Sequence, residues 1–203
     1  MNKKISALLL AGAMILSLAA CGSQGSTPAA SSTAPVGGET TGLTEAFAEA
    51  PILVTSGGQS ADYQMVGTLM GKVGMEYEIK NLATSADLGA AKTLIVVVGG
   101  SSKGLGAAGI DADGELARLA ELIDGAKAAG LSVIAMHTGG EARRGDLSDK
   151  FITPIFEKAD YAIVVTSGDE DGLMSGICAS KGIPMDAIDS ISKVATVLPA
   201  AFK

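Results

Sequence analysis

The chain has no tryptophan, one histidine, three arginines and two cysteines among its 203 residues, and aromatic residues make up only 3%. So few rings exclude an aromatic platform for stacking bases or sugars. Lys and Arg number 15 against 22 Asp and Glu, a net charge of −7, which excludes an electrostatic grip on nucleic acid. One His with two Cys is a poor donor set for zinc. Charged residues are also sparse, at 18%, against 47% apolar ones, so a buried core is expected and wholesale disorder is excluded. Glycine, by contrast, is plentiful at 27 residues and predicts many tight turns or close backbone approaches.

The start of the chain reads as an export signal. Met1-Asn2-Lys3-Lys4 is cationic, and Ile5 to Ala20 is apolar or small. These 16 residues are short for spanning a bilayer. Leu18-Ala19-Ala20-Cys21 resembles the lipobox of bacterial lipoproteins. That resemblance implies cleavage before Cys21, a diacylglyceryl thioether on its sulfur, and an extracytoplasmic chain anchored to the membrane. Loss of residues 1–20 would leave 13 basic against 22 acidic residues, a charge of −9. Only Cys178 would remain as a thiol, so no internal disulfide is expected; Cys178 reads as a small buried residue. Residues 22–44 are almost all Gly, Ser, Thr, Ala and Pro, a tether with too few large apolar groups to fold. Glu45–Ala50 reads as the start of a short helix. The expected division is a signal peptide over 1–20, a lipidated Cys21 with tether over 21–50, and one domain over 51–203.

Within that domain apolar runs alternate with amphipathic stretches. Strands are predicted at 52–55, 77–80, 94–98, 132–136 and 161–165, and residues 183–192 read as a short strand or loop. Helices are predicted at 60–73, 114–129, 146–159, 172–180 and 194–202. The uninterrupted run Leu94-Ile95-Val96-Val97-Val98 is that of a strand buried on both faces. Strand–helix alternation predicts a three-layer α/β sandwich on a mainly parallel five-stranded sheet, in the flavodoxin-like order 2-1-3-4-5.

The loops after the strands would then share one rim. They are Ser56–Ser60, Gly99–Gly106, His137–Asp146 and Ser167–Gly172. Two of the three arginines are adjacent in the third loop, six residues after the only His. Gly-rich turns let backbone N–H groups approach a ligand, and an Arg fork suits a carboxylate or phosphate. The candidate ligand-binding residues are Gly58, Gln59, Ser60, Ser101, Ser102, Lys103, His137, Arg143 and Arg144. The competing reading pairs Arg143 and Arg144 with Glu141 and Asp146 on a solvated loop.

Sharper motifs fall short. Gly104-Leu105-Gly106-Ala107-Ala108-Gly109 matches G-x-G-x-x-G, but its helix is predicted to begin only near Asp113, so a mobile glycine lid is the better reading. Gly58-Gln59-Ser60-Ala61 lacks the second glycine of a nucleophile elbow; the hydrolase alternative would use Ser60 with His137, oriented by Asp169 or Asp171. Asp111-x-Asp113-x-Glu115 and Asp169-x-Asp171 lack the spacing of a calcium loop and read as helix caps. His137 with Glu141 is too small a set for a metal.

As a set, Ser56–Asp62, Val98–Gly106 and His137–Gly145 resemble motifs of an uncharacterised family of bacterial extracytoplasmic lipoproteins. The likeness covers about residues 50–203. It implies the location and a Rossmann-like fold, with no reaction attached. The function expected is a membrane-tethered binding module for a small anionic solute, able to serve a membrane transporter, with no cofactor. The alternatives are the Ser60/His137 hydrolase and a structural or partner-binding lipoprotein.

Overall fold

A computed structural model describes residues 40–203. The expected signal peptide, the expected lipidation site Cys21 and most of the expected tether lie outside the described residues. Among the described residues no helix is long and apolar enough to cross a membrane.

Six strands form one parallel sheet: β1 (Ile52–Gly57), β2 (Glu78–Ile79), β3 (Thr93–Val98), β4 (Ser132–His137), β5 (Tyr161–Val165) and β6 (Met185–Ile188). Their order is β2-β1-β3-β4-β5-β6. This is the expected flavodoxin-like order with one strand added. β6 pairs with β5 from Met185 to Ile188. Its short Met-Asp-Ala-Ile sequence carries an aspartate and is buried only at Met185 and Ile188, as suits an edge position, and so it is ambiguous by pattern alone.

β1, β3 and β5 are buried along their whole length, and β4 from Val133 onward. Period-two alternation sends Leu53, Leu94, Val96, Val133, Ala135 and Val164 to one face. Helices α3 (Ala112–Ala128), α4 (Asp146–Phe156) and α5 (Leu173–Lys181) cover it through Leu122, Phe151, Ile155 and Cys178. Val54, Ile95, Val97, Ile134, Met136 and Ile163 face the other way. There α1 (Asp62–Lys72) packs through Val66 and Met70, with α6 (Val194–Val197) beside it through Val194. These are the three layers.

Three expectations need correction. The glycine-rich segment after β3 is a helix, α2 (Ser102–Ala108), not a lid. Ser101 caps it, its hydroxyl accepting from Gly104 N at 3.0 Å, and Gly109 closes it in the left-handed conformation. Glycine lowers intrinsic helix propensity, but close packing on Gln59 requires it here. A Cβ on Gly104 would lie 1.9 Å from the Gln59 carbonyl oxygen. Secondly, residues 45–50 form no helix. Ala48 makes a parallel bridge to Phe202, and Phe47 packs edge-on against Tyr161 at 6.1 Å. Buried apolar contact thus ties down this end of the expected tether. Thirdly, the expected helix over 194–202 is one short α-helical stretch that tightens to 3-10 geometry over Leu198–Ala201, around Pro199.

Candidate functional site

The carboxyl ends of β1 and β3 form the topological switch point, because α1 leaves β1 on one face of the sheet and α2 leaves β3 on the other. The turn out of β1 carries Gly58 at φ +103° and Gln59 at φ +63°. A non-glycine residue in the left-handed region needs strong local support. That support is a buried carboxylate. Glu115 Oε1 accepts from Gly58 N at 2.9 Å and from Gln59 Nε2 at 3.0 Å. Arg118 holds Glu115 through Nε and Nη2, at 2.8 and 2.7 Å. The rest of its fork donates to the Ala83 and Ser56 carbonyls at 2.6 and 2.7 Å. The side chains of Glu115 and Arg118 are 0% and 8% exposed.

Sequence reasoning missed this pair. One signal was present: Glu115 occupies the apolar stripe of α3 with Leu119, Leu122, Ile123 and Ala126. A carboxylate on that stripe must be paired.

Beside the turn, Ser60 Oγ donates to Asp62 Oδ2 at 3.0 Å, and Arg143 Nε donates to the same oxygen at 3.1 Å. Asp62 opens α1, and Arg143 reaches it from the loop after β4. Two glycines make room for the trio. A Cβ on Gly99 would meet Ser60 Oγ at 2.8 Å, and one on Gly139 would meet Arg143 Cγ at 1.9 Å. Asp62 Oδ1 and both Nη atoms of Arg143 have no hydrogen-bond partner among the described residues. The Asp62 side chain is 10% exposed and that of Arg143 37%.

Arg144 is used differently. Nη1 and Nη2 grip Asp171 at 2.9 and 2.8 Å, Nε and Nη2 hold Asp149 at 2.8 and 3.2 Å, and Nη1 also donates to the Gly168 carbonyl at 2.5 Å. These contacts staple the β4 and β5 loops to α4. Hydrogen bonding to Asp171 and Asp149 raises the Arg144 pKa further, and the guanidinium lowers that of Asp171 to about 2. The arginines therefore do pair with acids, but with Asp62, Asp149 and Asp171 in place of Glu141 and Asp146.

His137 is fully buried at the end of β4. Its Nε2–H donates to the Arg143 carbonyl at 3.1 Å, since a carbonyl can only accept. Nδ1 is buried without a partner, as is the hydroxyl of neighbouring Thr138. Burial, the leading cause, depresses the His137 pKa. His137 makes no hydrogen bond to Ser60, whose hydroxyl is committed to Asp62. The Ser–His pair of the hydrolase alternative is thus not assembled.

Ser101 is the α2 cap, while Ser102 and Lys103 are exposed on the first turn. Among the described residues Lys103 makes no ion pair. Asp169 caps α5, accepting from Met174 N and Ser175 N at 2.7 and 3.0 Å, and Asp111 caps α3. Among the described residues no group of three or more His, Cys, Asp or Glu could hold a metal.

A depression of about 250 Å³ lies at the switch point, walled by Gln59, Ser60, Tyr63, Gln64, Asn81 and Gly104. Its lining carries no formal charge. Ser60 belongs both to this wall and to the Asp62–Arg143 cluster.

The family model described as "Domain of unknown function (DUF6305)" matches residues 49–202. The chain belongs to this family. No curated protein matches the DUF6305 chain. Solved structures that resemble it distantly include the following two. One is a candidate GMP synthase component from Thermoplasma acidophilum, 15% identical, with a TM-score of 0.33 over 56% of this chain and 47% of that one. The DUF6305 chain thus spans about half of that structure's length. The other is TesA, 12% identical, with a TM-score of 0.30 over 66% of this chain and 77% of that one. Neither likeness extends to function.

Proposed function

We propose that this protein is a membrane-tethered extracytoplasmic lipoprotein whose DUF6305 domain binds a small solute bearing an anionic group at the carboxyl rim of its sheet. The observation that carries the binding reading is the half-used guanidinium of Arg143. Asp62 fixes it through Nε, while both Nη atoms have no partner among the described residues. A planar fork held at one edge is preorganised to accept a carboxylate or phosphate at the other. The neighbouring depression can take the uncharged part of the solute, against Gln59, Tyr63, Gln64 and Asn81. Arg144, saturated by Asp149 and Asp171, serves as structure. Tethering rests on the cationic start, the apolar run and the Leu18–Cys21 box.

The test is a thermal-shift panel of carboxylates and phosphates on the purified full-length chain. A ligand at 100 times its Kd stabilises by about 2.7 kcal/mol. Arg143→Ala should abolish the shift. A panel without any shift, or a shift that survives this substitution, refutes the reading. For the tether, labelled fatty acid should enter the protein and Cys21→Ser should prevent it.

A partner-binding role has one observation in its favour. Met65 on α1 and Val73 just after it are 53% and 42% exposed, a surface a membrane transporter could cover.

A further inference from the structure

The open groups at the rim are of both signs. Among the described residues the two Nη atoms of Arg143 and Oδ1 of Asp62 have no partner, and the Arg143 Nε–Asp62 Oδ2 bond of 3.1 Å joins the two side chains. A solute that is only an anion meets Arg143 with a carboxylate beside it. Asp62 repels such a solute, so the pair discounts the Coulombic gain. A solute that is only a cation meets the opposite problem at Arg143. A solute with a carboxylate and an ammonium a few ångströms apart matches both ends.

We propose that the Asp62–Arg143 pair recognises the zwitterionic head of a free amino acid. The carboxylate takes the Arg143 Nη donors and the ammonium takes Asp62 Oδ1. A second observation favours a ligand there. The Asp62 side chain is nine-tenths buried and held in place by Ser60 and Arg143, and its unpaired Oδ1 is the part that reaches the surface, where a ligand can meet it. Gly99 and Gly139 hold the space, because a Cβ on Gly139 would also come within 2.9 Å of Asp62 Oδ2. The assignment rests on the binding reading above and narrows its ligand to one class.

The test is calorimetric titration of the purified full-length chain with each of the twenty common L-amino acids, with acetate and inorganic phosphate, and with ethylamine. At least one amino acid should bind. Its N-acetyl and carboxamide derivatives should each bind at least tenfold more weakly. Asp62→Asn and Arg143→Gln should weaken it similarly while far-UV circular dichroism stays unchanged; Arg143→Lys should retain part of the affinity and serves if Arg143→Gln misfolds. Acetate or phosphate binding without any amino acid overturns the zwitterion and leaves the anion reading standing. Equal affinity for the N-acetyl derivative does the same. Amino-acid binding indifferent to both substitutions overturns the site. No binding by any probe overturns both.

Discussion

At the residue scale the rim depends on a buried charge pair that lies behind the Gln59 wall of the depression. Glu115 satisfies Gly58 N and the Gln59 amide, while Arg118 satisfies two carbonyls on the other side. Removing one member leaves the other charged and unpaired in the interior, which typically costs about 3–5 kcal/mol. Glu115→Ala should therefore lower the stability of the protein by that order in urea denaturation. The double replacement Glu115→Leu with Arg118→Met should not restore it, because the Gly58 N–H and the Ser56 and Ala83 carbonyls would still lack partners. Full recovery in the double variant would mean that the pair serves only itself. Cys178 gives a second residue-scale test. Burial raises its thiol pKa to about 12, so Cys178 should resist thiol reagents at pH 8 in the native protein and react fully once unfolded.

At the element scale two glycines of α2 should behave oppositely. Gly104 abuts the Gln59 carbonyl, so Gly104→Ala must push α2 off the switch point, costing on the order of 1–3 kcal/mol or more. A Cβ on Gly106 meets nothing within 4 Å, so Gly106→Ala should stabilise by about 0.5–1 kcal/mol through helix propensity. Thermal denaturation of the two variants separates close approach from flexibility as the reason for a glycine. The same contrast governs what the sequence could reveal. Runs such as Leu94–Val98 and Tyr161–Val165 announce buried parallel strands, because burial on both faces removes all polar choice. Helix α3 shows its stripe as clearly. α2 does not, since its glycines answer to Gln59 and not to its own propensity. The rim was legible as a set of glycine loops with Arg143 and Arg144. Which arginine is spent could not be read, because Asp149 and Asp171 reach Arg144 only through the fold.

At the scale of the whole molecule one titration links the rim to overall stability. His137 is the only histidine in the chain, and it lies under the loop that carries both arginines. Its surroundings hold Arg144, which opposes protonation, and Asp62 and Asp149, which favour it, but burial outweighs them and lowers its pKa. Unfolded, the same imidazole takes up a proton near pH 6.5. Below that pH the unfolded chain binds a proton that the folded chain refuses, so stability is full above pH 6.5 and falls as the solution is acidified. The slope for one such group approaches about 1.4 kcal/mol per pH unit. Carboxylates contribute only lower down: Asp171, held near 2 by Arg144, loses its contribution as pH falls from the ordinary carboxylate value of 3.8 to about 2. Between pH 7.5 and 5.5 the histidine is the group placed to set the slope. Urea denaturation across that interval should show stability decreasing toward acid, and His137→Gln should flatten the curve, whatever it does to stability at pH 7.5. A wild-type curve already flat over the interval would mean that Nδ1 finds an acceptor on protonation, through movement of the Gly168 backbone packed against it.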